Sequence, residues 1–235
     1  MRIYYCDWRE LPAQALAAEA ARLPRAERQR LPRMRRERAA EKLAGRLLAR
    51  QAVAVQCGIA PETVRFSRSK YGKPYCVGAP AHVSIAHSAG RVACAVSDAP
   101  VGLDLERVRE IDPAVSRKFC TPPEAAYLAA APDEAERQAR FFRLWTLKEA
   151  YLKAEGRGLY LPLKSVTFFP APDGADGPVR SSRRRWRFTL LRDGDFQFAA
   201  AQRAGDETPV TLQRYRPQGL EGEKQRPGGE TRGAE

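Results

Sequence analysis

Asp104 and Glu106 stand two apart in Val101-Gly102-Leu103-Asp104-Leu105-Glu106, a run that reads as a strand. Alternation in a strand points both carboxylates to one face, about 6.5 Å apart, and Leu103 and Leu105 to the other. Two carboxylates fixed beside buried leucines are costly unless a cation meets them. One reading is a charged strand face turned to solvent. The other is a hard divalent ion such as Mg²⁺, held by oxygen ligands and shared with substrate phosphates. A third carboxylate, Glu149, lies in Phe141-Phe142-Arg143-Leu144-Trp145-Thr146-Leu147-Lys148-Glu149-Ala150-Tyr151-Leu152-Lys153. Phe141, Leu144, Trp145 and Leu152 recur there at helical spacing and make an apolar stripe. Glu149 falls within about 40° of Trp145 around the helix, against the stripe rather than opposite it. Lys148 borders the stripe on its other edge. Glu149 and Lys153 form either an i,i+4 surface pair, worth a few tenths of a kcal/mol, or, if the helix packs across the strand end, part of one site with Asp104 and Glu106.

His87, in Ile85-Ala86-His87-Ser88, ends an apolar run. It is either a satisfied structural histidine or a donor to a phosphate oxygen at the mouth of a sheet. With 2 histidines in the chain, a zinc site built on histidine has little support. Lys73, in Tyr71-Gly72-Lys73-Pro74, suits the phosphate role as a mobile point charge. Neither a P-loop nor a dinucleotide-binding glycine motif is present.

The elements that must position these residues follow from pattern. After a first strand at Met1-Arg2-Ile3-Tyr4-Tyr5-Cys6-Asp7, residues 12–57 are helical, broken by Pro12, Pro24 and Pro32. Thr63 to Phe66 is a short strand, and Ser67 to Pro74 a turn-rich loop. His82 to Ala86, Val92 to Val96 and Val101 to Glu106 then read as an antiparallel meander. Residues 113–153 return to helix, with Thr121 as an N-cap before Pro122-Pro123-Glu124. The long helix stops at Gly156. Residues 163–169 and 184–216 read as strands separated by a loop from Pro170 to Gly177. The expected fold is α+β. It has two similar halves in a pseudo-twofold layout, each a small, mainly antiparallel sheet with packed helices, and a site in the cleft between them. The division falls near residue 100, giving segments 1–100 and 101–216. Residues 217–235 are polar and expected to be a disordered tail.

The 235 residues are 43% hydrophobic, enough for a sizeable core. Their 41 basic residues against 28 acidic ones give +13, which predicts an anionic partner. Much of the excess lies between Arg22 and Arg50, where only Glu27, Glu37 and Glu41 oppose it. A second basic cluster, Arg183-Arg184-Arg185-Trp186-Arg187, has an aromatic neighbour. No apolar run has the length of a membrane span, and the N-terminus does not resemble a signal peptide. The 5 cysteines form no CxxC pair, as in a reduced, cytoplasmic protein.

Val101 to Glu106 and Trp145 to Lys153, about forty residues apart, closely resemble the paired signatures of the 4′-phosphopantetheinyl transferases. Tyr71-Gly72-Lys73-Pro74, Ile85-Ala86-His87-Ser88 and Gly156-Arg157-Gly158-Leu159, followed by Leu161-Pro162-Leu163, match further family elements in order. The chain looks most like the two-lobed, monomeric, surfactin-synthetase-activating type. The resemblance implies transfer of the 4′-phosphopantetheine arm of coenzyme A to a serine of an apo acyl- or peptidyl-carrier protein, releasing 3′,5′-ADP. That reaction would serve fatty acid, polyketide or nonribosomal peptide synthesis. Mg²⁺, with Mn²⁺ as an alternative, would be held by Asp104, Glu106 and Glu149. Glu149 would take the serine proton, with Glu106 as the competitor, and Lys153 would stabilise the leaving phosphate. Lys73 and His87 would hold coenzyme A phosphates.

Two departures stand out. Ala86 replaces a serine that many members carry. Alignment on Gly45 puts Glu41 where the family holds the 3′-phosphate with a basic residue, so that role would pass to Lys42 or to Arg28. Arg117-Lys118-Phe119 looks like the family's basic-aromatic patch for an acidic carrier protein. The reading expects a monomer with no nucleic-acid or membrane partner. The competing class is a basic nucleic-acid-binding module resting on residues 22–50 and 183–187, opposed by the acidic triad and by the lack of a nucleic-acid-binding signature.

Overall fold

Ile3, Tyr4 and Cys6 are all 2% exposed or less, so the first strand is buried on both faces and needs a layer on each side. The computed structural model, which describes residues 1–171 and 174–216, supplies those layers. The strands are β1 (Arg2–Asp7), β2 (Arg65–Arg68), β3 (Pro74–Val77), β4 (His82–Ser88), β5 (Arg91–Ser97) and β6 (Val101–Arg107), then β7 (Phe168–Phe169), β8 (Gly177–Ser181), β9 (Trp186–Asp193), β10 (Phe196–Arg203) and β11 (Thr211–Arg214). The helices are α1 (Ala13–Ala21), α2 (Arg25–Arg28), α3 (Arg36–Cys57), α4 (Pro122–Ala129) and α5 (Glu134–Glu155).

Tyr4, Cys6, Val92 and Cys94 face α3, where Leu48, Ala52 and Val53 meet them. On the other side of the same strands, Ile3, Ala93 and Ala95 meet Leu103, Leu105, Phe198 and Ala200 of a second sheet. That sheet's remaining face, with Phe188, Leu190 and Ala199, packs on Leu144, Leu147 and Tyr151 of α5. The layers therefore run helix, sheet, sheet, helix, and the two α+β halves meet through their sheets. The first sheet has the order β11-β1-β5-β4, the second β6-β10-β9-β8-β7, and β2 pairs with β3.

The expected meander is corrected at its third strand. β5 lies between β1 and β4, so it has no free edge for β6, which instead opens the second sheet against β10. β3 and β8 begin at Pro74 and Gly177, the last residues of the two expected loops, and continue through stretches for which no strand was expected. β11 returns across the division near residue 100 to pair in parallel with β1. The expected disordered tail, residues 217–235, lies outside the described residues.

Local chemistry fixes the helices that matter. Asp133 caps α5 by accepting from Glu136 N at 2.7 Å, and Gly156 ends it at φ 69°, the left-handed conformation glycine adopts without strain. Thr121 and Glu124 form a capping box at the start of α4. All five cysteines are free thiols.

Candidate active site

The site begins where α5 crosses β6. Gly102 lets them touch: a Cβ there would stand 1.9 Å from Ala150 O and 2.6 Å from Ala154 N. With the helix backbone this close, the α5-facing residues of the strand, Asp104 and Glu106, share an edge with Glu149 and Lys153. Asp104 Oδ1 accepts from Lys153 Nζ at 2.7 Å, and Lys153 also reaches Ile85 O on β4 at 3.4 Å. Asp104 Oδ2 is buried and receives no hydrogen bond. Burial pushes the Asp104 carboxyl up to about 7. Lys153 pulls against this, and the negative charges of Glu149 and Glu106 add to it. Glu149 is raised as well, by burial first, with Lys153 opposing and Glu106 adding. Glu106 Oε2 accepts from Ser88 Oγ at 2.7 Å and from Arg109 at 3.2 Å.

A cleft of about 240 Å³ opens between the halves beside this group. Lys73, Ser84 and Ile85 line it from one side, and Glu149, Leu152, Lys153 and Gly156 from the other. The carboxylates repel one another in a partly dry place, and one buried oxygen lacks a partner. Both features suit an all-oxygen cation site. Among the described residues no three His, Cys, Asp or Glu side chains are gathered tightly enough to ligate one ion. Lys153 holds Asp104 Oδ1 instead.

Lys73 lines the cleft, but its ammonium is engaged: it donates to Val101 O at 2.9 Å and Ala154 O at 3.0 Å. It thereby ties its loop to both β6 and α5. Burial lowers it to about 8, with Glu155 opposing. His87 Nδ1 lies 3.2 Å from Glu41 Oε2. Burial lowers the imidazole, Glu41 and Glu106 pull it up, and Lys153 and Arg38 push it down. Lys42 meets Glu27 at 2.9 Å, and Arg28 is exposed, donating to Ala21 O at 3.3 Å. Neither lines the cleft. Ala86 is buried between the sheets.

Lys148, placed at the edge of the apolar stripe, is fully buried and meets the equally buried Glu124 at 2.8 Å. One reading changes. Phe119 is not a surface docking residue. It is 0% exposed and packs edge-on against Phe141 and Trp145, leaving Arg117 and Lys118 exposed.

Sequence reasoning missed Ser88 and Arg109, which hold Glu106, and Tyr160. Tyr160 is 78% exposed, with its ring centroid 5.4 Å from that of Tyr71, which lines the cleft. The Ser88 contact had one available signal, its place one residue after His87. Tyr160 had none.

Comparison with known proteins gives two family matches on separate stretches of the chain. Residues 100–201 match the 4′-phosphopantetheinyl transferase superfamily, and residues 7–97 match the N-terminal family of 4′-phosphopantetheinyl transferases. The chain is 39% identical over 123 residues to the 4′-phosphopantetheinyl transferase gsp of Aneurinibacillus migulanus, covering 52% of this chain and 51% of that one. It is 36% identical over 133 residues to the 4′-phosphopantetheinyl transferase Sfp of Bacillus subtilis, covering 56% and 59%. The chain thus spans between half and three fifths of the length of these curated relatives. The solved holo-acyl-carrier-protein synthase of Helicobacter pylori in complex with coenzyme A is 20% identical, with a TM-score of 0.32, over 44% of this chain and 98% of that one. Two matches of one kind, lying on the two helix-and-sheet halves that enclose the cleft, identify the chain as a member of the 4′-phosphopantetheinyl transferase superfamily.

Proposed function

We propose that the chain transfers the 4′-phosphopantetheine arm of coenzyme A to a serine hydroxyl of an apo acyl- or peptidyl-carrier protein, releasing 3′,5′-ADP. The observation that carries this reading is the meeting of Glu149 and Lys153 on α5 with Asp104 on β6 at the rim of one cleft. The serine oxygen attacks the β-phosphorus of coenzyme A, and the bond from that phosphorus to the bridging oxygen breaks. The serine proton goes to Glu149, and the new charge on the departing 3′,5′-ADP faces Lys153. Burial raises Glu149, which brings its basicity toward that of a useful general base. Glu106 already accepts from Ser88 and Arg109, whereas no donor to the Glu149 carboxylate is found among the described residues. That difference favours Glu149 over Glu106 as the base.

Asp104, Glu106 and Glu149 would hold Mg²⁺, which supplies neutralisation of pyrophosphate charge when bound. Lys153, whose ammonium donates to Asp104 Oδ1 at 2.7 Å, would share that carboxylate with the ion and lend its charge to the phosphate. Lys73 brings positive charge and His87 a ring N–H donor to the pyrophosphate end of the ligand. Lys42 or Arg28 would serve the 3′-phosphate. The carrier protein is acidic in this reading, and Arg117 and Lys118 offer it an exposed basic edge. The molecule acts as a monomer in the cytoplasm, on carriers of fatty acid, polyketide or nonribosomal peptide synthesis.

Glu149→Gln tests the assignment. It should reduce transfer of a fluorescent coenzyme A conjugate to apo carrier protein by at least a hundredfold, within the range general-base loss produces, while the thermal midpoint stays within a few degrees. A variant with wild-type rates would remove Glu149 from the chemistry.

A further inference from the structure

Glu41 stands where a cation would be expected to meet coenzyme A, yet it is a carboxylate. Its environment shows what it does instead. From α3, Oε1 accepts from Gly90 N at 3.0 Å, and Oε2 lies 3.2 Å from His87 Nδ1. The side chain is 14% exposed, against 38% for His87, so the contact is shielded while the ring keeps a solvent-facing part. The turn it grips is unusual. Ala89 has φ 49° and Gly90 φ 90°, two consecutive residues in the left-handed region between β4 and β5, and an alanine there is strained. The bond to Gly90 N helps to hold that turn. On its far side, Ser88 Oγ donates to Glu106 Oε2 at 2.7 Å and accepts from Arg107 N at 3.3 Å. The hairpin is therefore clamped between one glutamate on α3 and another on β6.

We propose that Glu41 is a positioning residue. It fixes the β4–β5 turn and orients the His87 ring, so that Nδ1 is taken up by the carboxylate and Nε2 is the nitrogen presented to a phosphate oxygen of coenzyme A. This rests on the transferase reading for the identity of the ligand, and on the two contacts of Glu41 for the orientation. The carboxylate has an electrostatic role too. Glu41 and, more weakly, Glu106 favour the protonated ring, whereas burial, Lys153 and Arg38 disfavour it. Among the groups facing the imidazole, Glu41 contributes the largest pull toward the charged form. A phosphate ligand binds that form best.

The test uses Glu41→Gln, Glu41→Ala and Glu41→Asp in the full chain. The chain has only two histidines, so an NMR titration of the imidazole carbons separates His87 from His82 directly. Removing the carboxylate should move the His87 titration to lower pH in both Gln and Ala variants and leave His82 in place, with Asp restoring part of the shift. KM for coenzyme A should rise several-fold, by more than kcat falls, and the pH at which KM begins to climb should move downward with the histidine. Well below both titrations the wild-type and Gln curves should converge, because the ring is then charged in both. Unchanged His87 titration and unchanged KM in Glu41→Gln would overturn the proposal. A wild-type chain that transfers nothing would overturn the ligand assignment alone, because the NMR shift still decides whether Glu41 holds the ring.

Discussion

Lys148 shows how one charged residue of the long helix serves the fold rather than the chemistry. Its ammonium, fully out of water, meets Glu124 at 2.8 Å and donates to Val166 O at 2.5 Å. The same carboxylate accepts from Thr121 N at 2.7 Å, Thr121 Oγ1 at 2.9 Å and Phe168 N at 2.9 Å. One buried pair thus joins the start of α4, the middle of α5 and β7. Breaking such a pair leaves a naked charge, which costs about 3–5 kcal/mol, while removing both charges is far milder. Lys148→Met should destabilise the protein by about that amount in urea unfolding, and adding Glu124→Gln should recover part of the loss. Equal stability of wild type and Lys148→Met would refute the structural role. Helical periodicity placed Lys148 at the edge of an apolar stripe, but it sees one face at a time. It did not register that α4 and β7 cover the opposite side, nor that Arg140 and Arg143 are buried there with Glu136 as their partner.

At the scale of elements, the contact between α5 and β6 governs the site. Its two motifs were legible because their spacing is local: a period of two presents Asp104 and Glu106 together, and a period of 3.6 presents Glu149 and Lys153. What brings them together is Gly102, whose need for empty space is invisible until the helix is laid on the strand. Gly102→Ala places a methyl group against the backbone of Ala150 and Ala154. It should cost about 1–3 kcal/mol, the range for overpacking a dense core, and lower transfer by more than that loss of folded protein explains, because Lys153 is levered away from Asp104. Assays at a temperature where both proteins are folded separate the two effects, and wild-type activity in the variant would contradict the packing argument. The fate of β6 was not legible. Neighbouring strands usually pair, but β1 occupies the edge of β5 that β6 would need, and β1 lies almost a hundred residues earlier in the chain. β11 falls within the expected strands of 184–216, but its pairing was hidden for the same reason, since its partner is also β1.

For the whole molecule, the +13 charge is partly internal. Arg46 and Arg50 converge on Glu19, which has no exposed surface, and Lys42 and Arg68 converge on Glu27. Burial pushes Glu27 up, but its bonds to Arg68 and Lys42 outweigh this and hold it at about 2. Part of the basic run that suggested nucleic acid is therefore occupied in holding α1, α2 and α3 together. The alternation of small alanines with larger residues on β5 lets two sheets stack closely between their helices, and the cleft opens where Lys73 on one half grips the backbone of the other. The central claim is that this cleft moves a phosphopantetheine arm. Intact-mass measurement of an apo carrier protein, after incubation with the enzyme, coenzyme A and Mg²⁺, tests it most directly. The account predicts a carrier heavier by one phosphopantetheine group, with the gain lost in Glu149→Gln or when chelator removes the metal. Unchanged mass across fatty-acid, polyketide and nonribosomal-peptide carriers would contradict it.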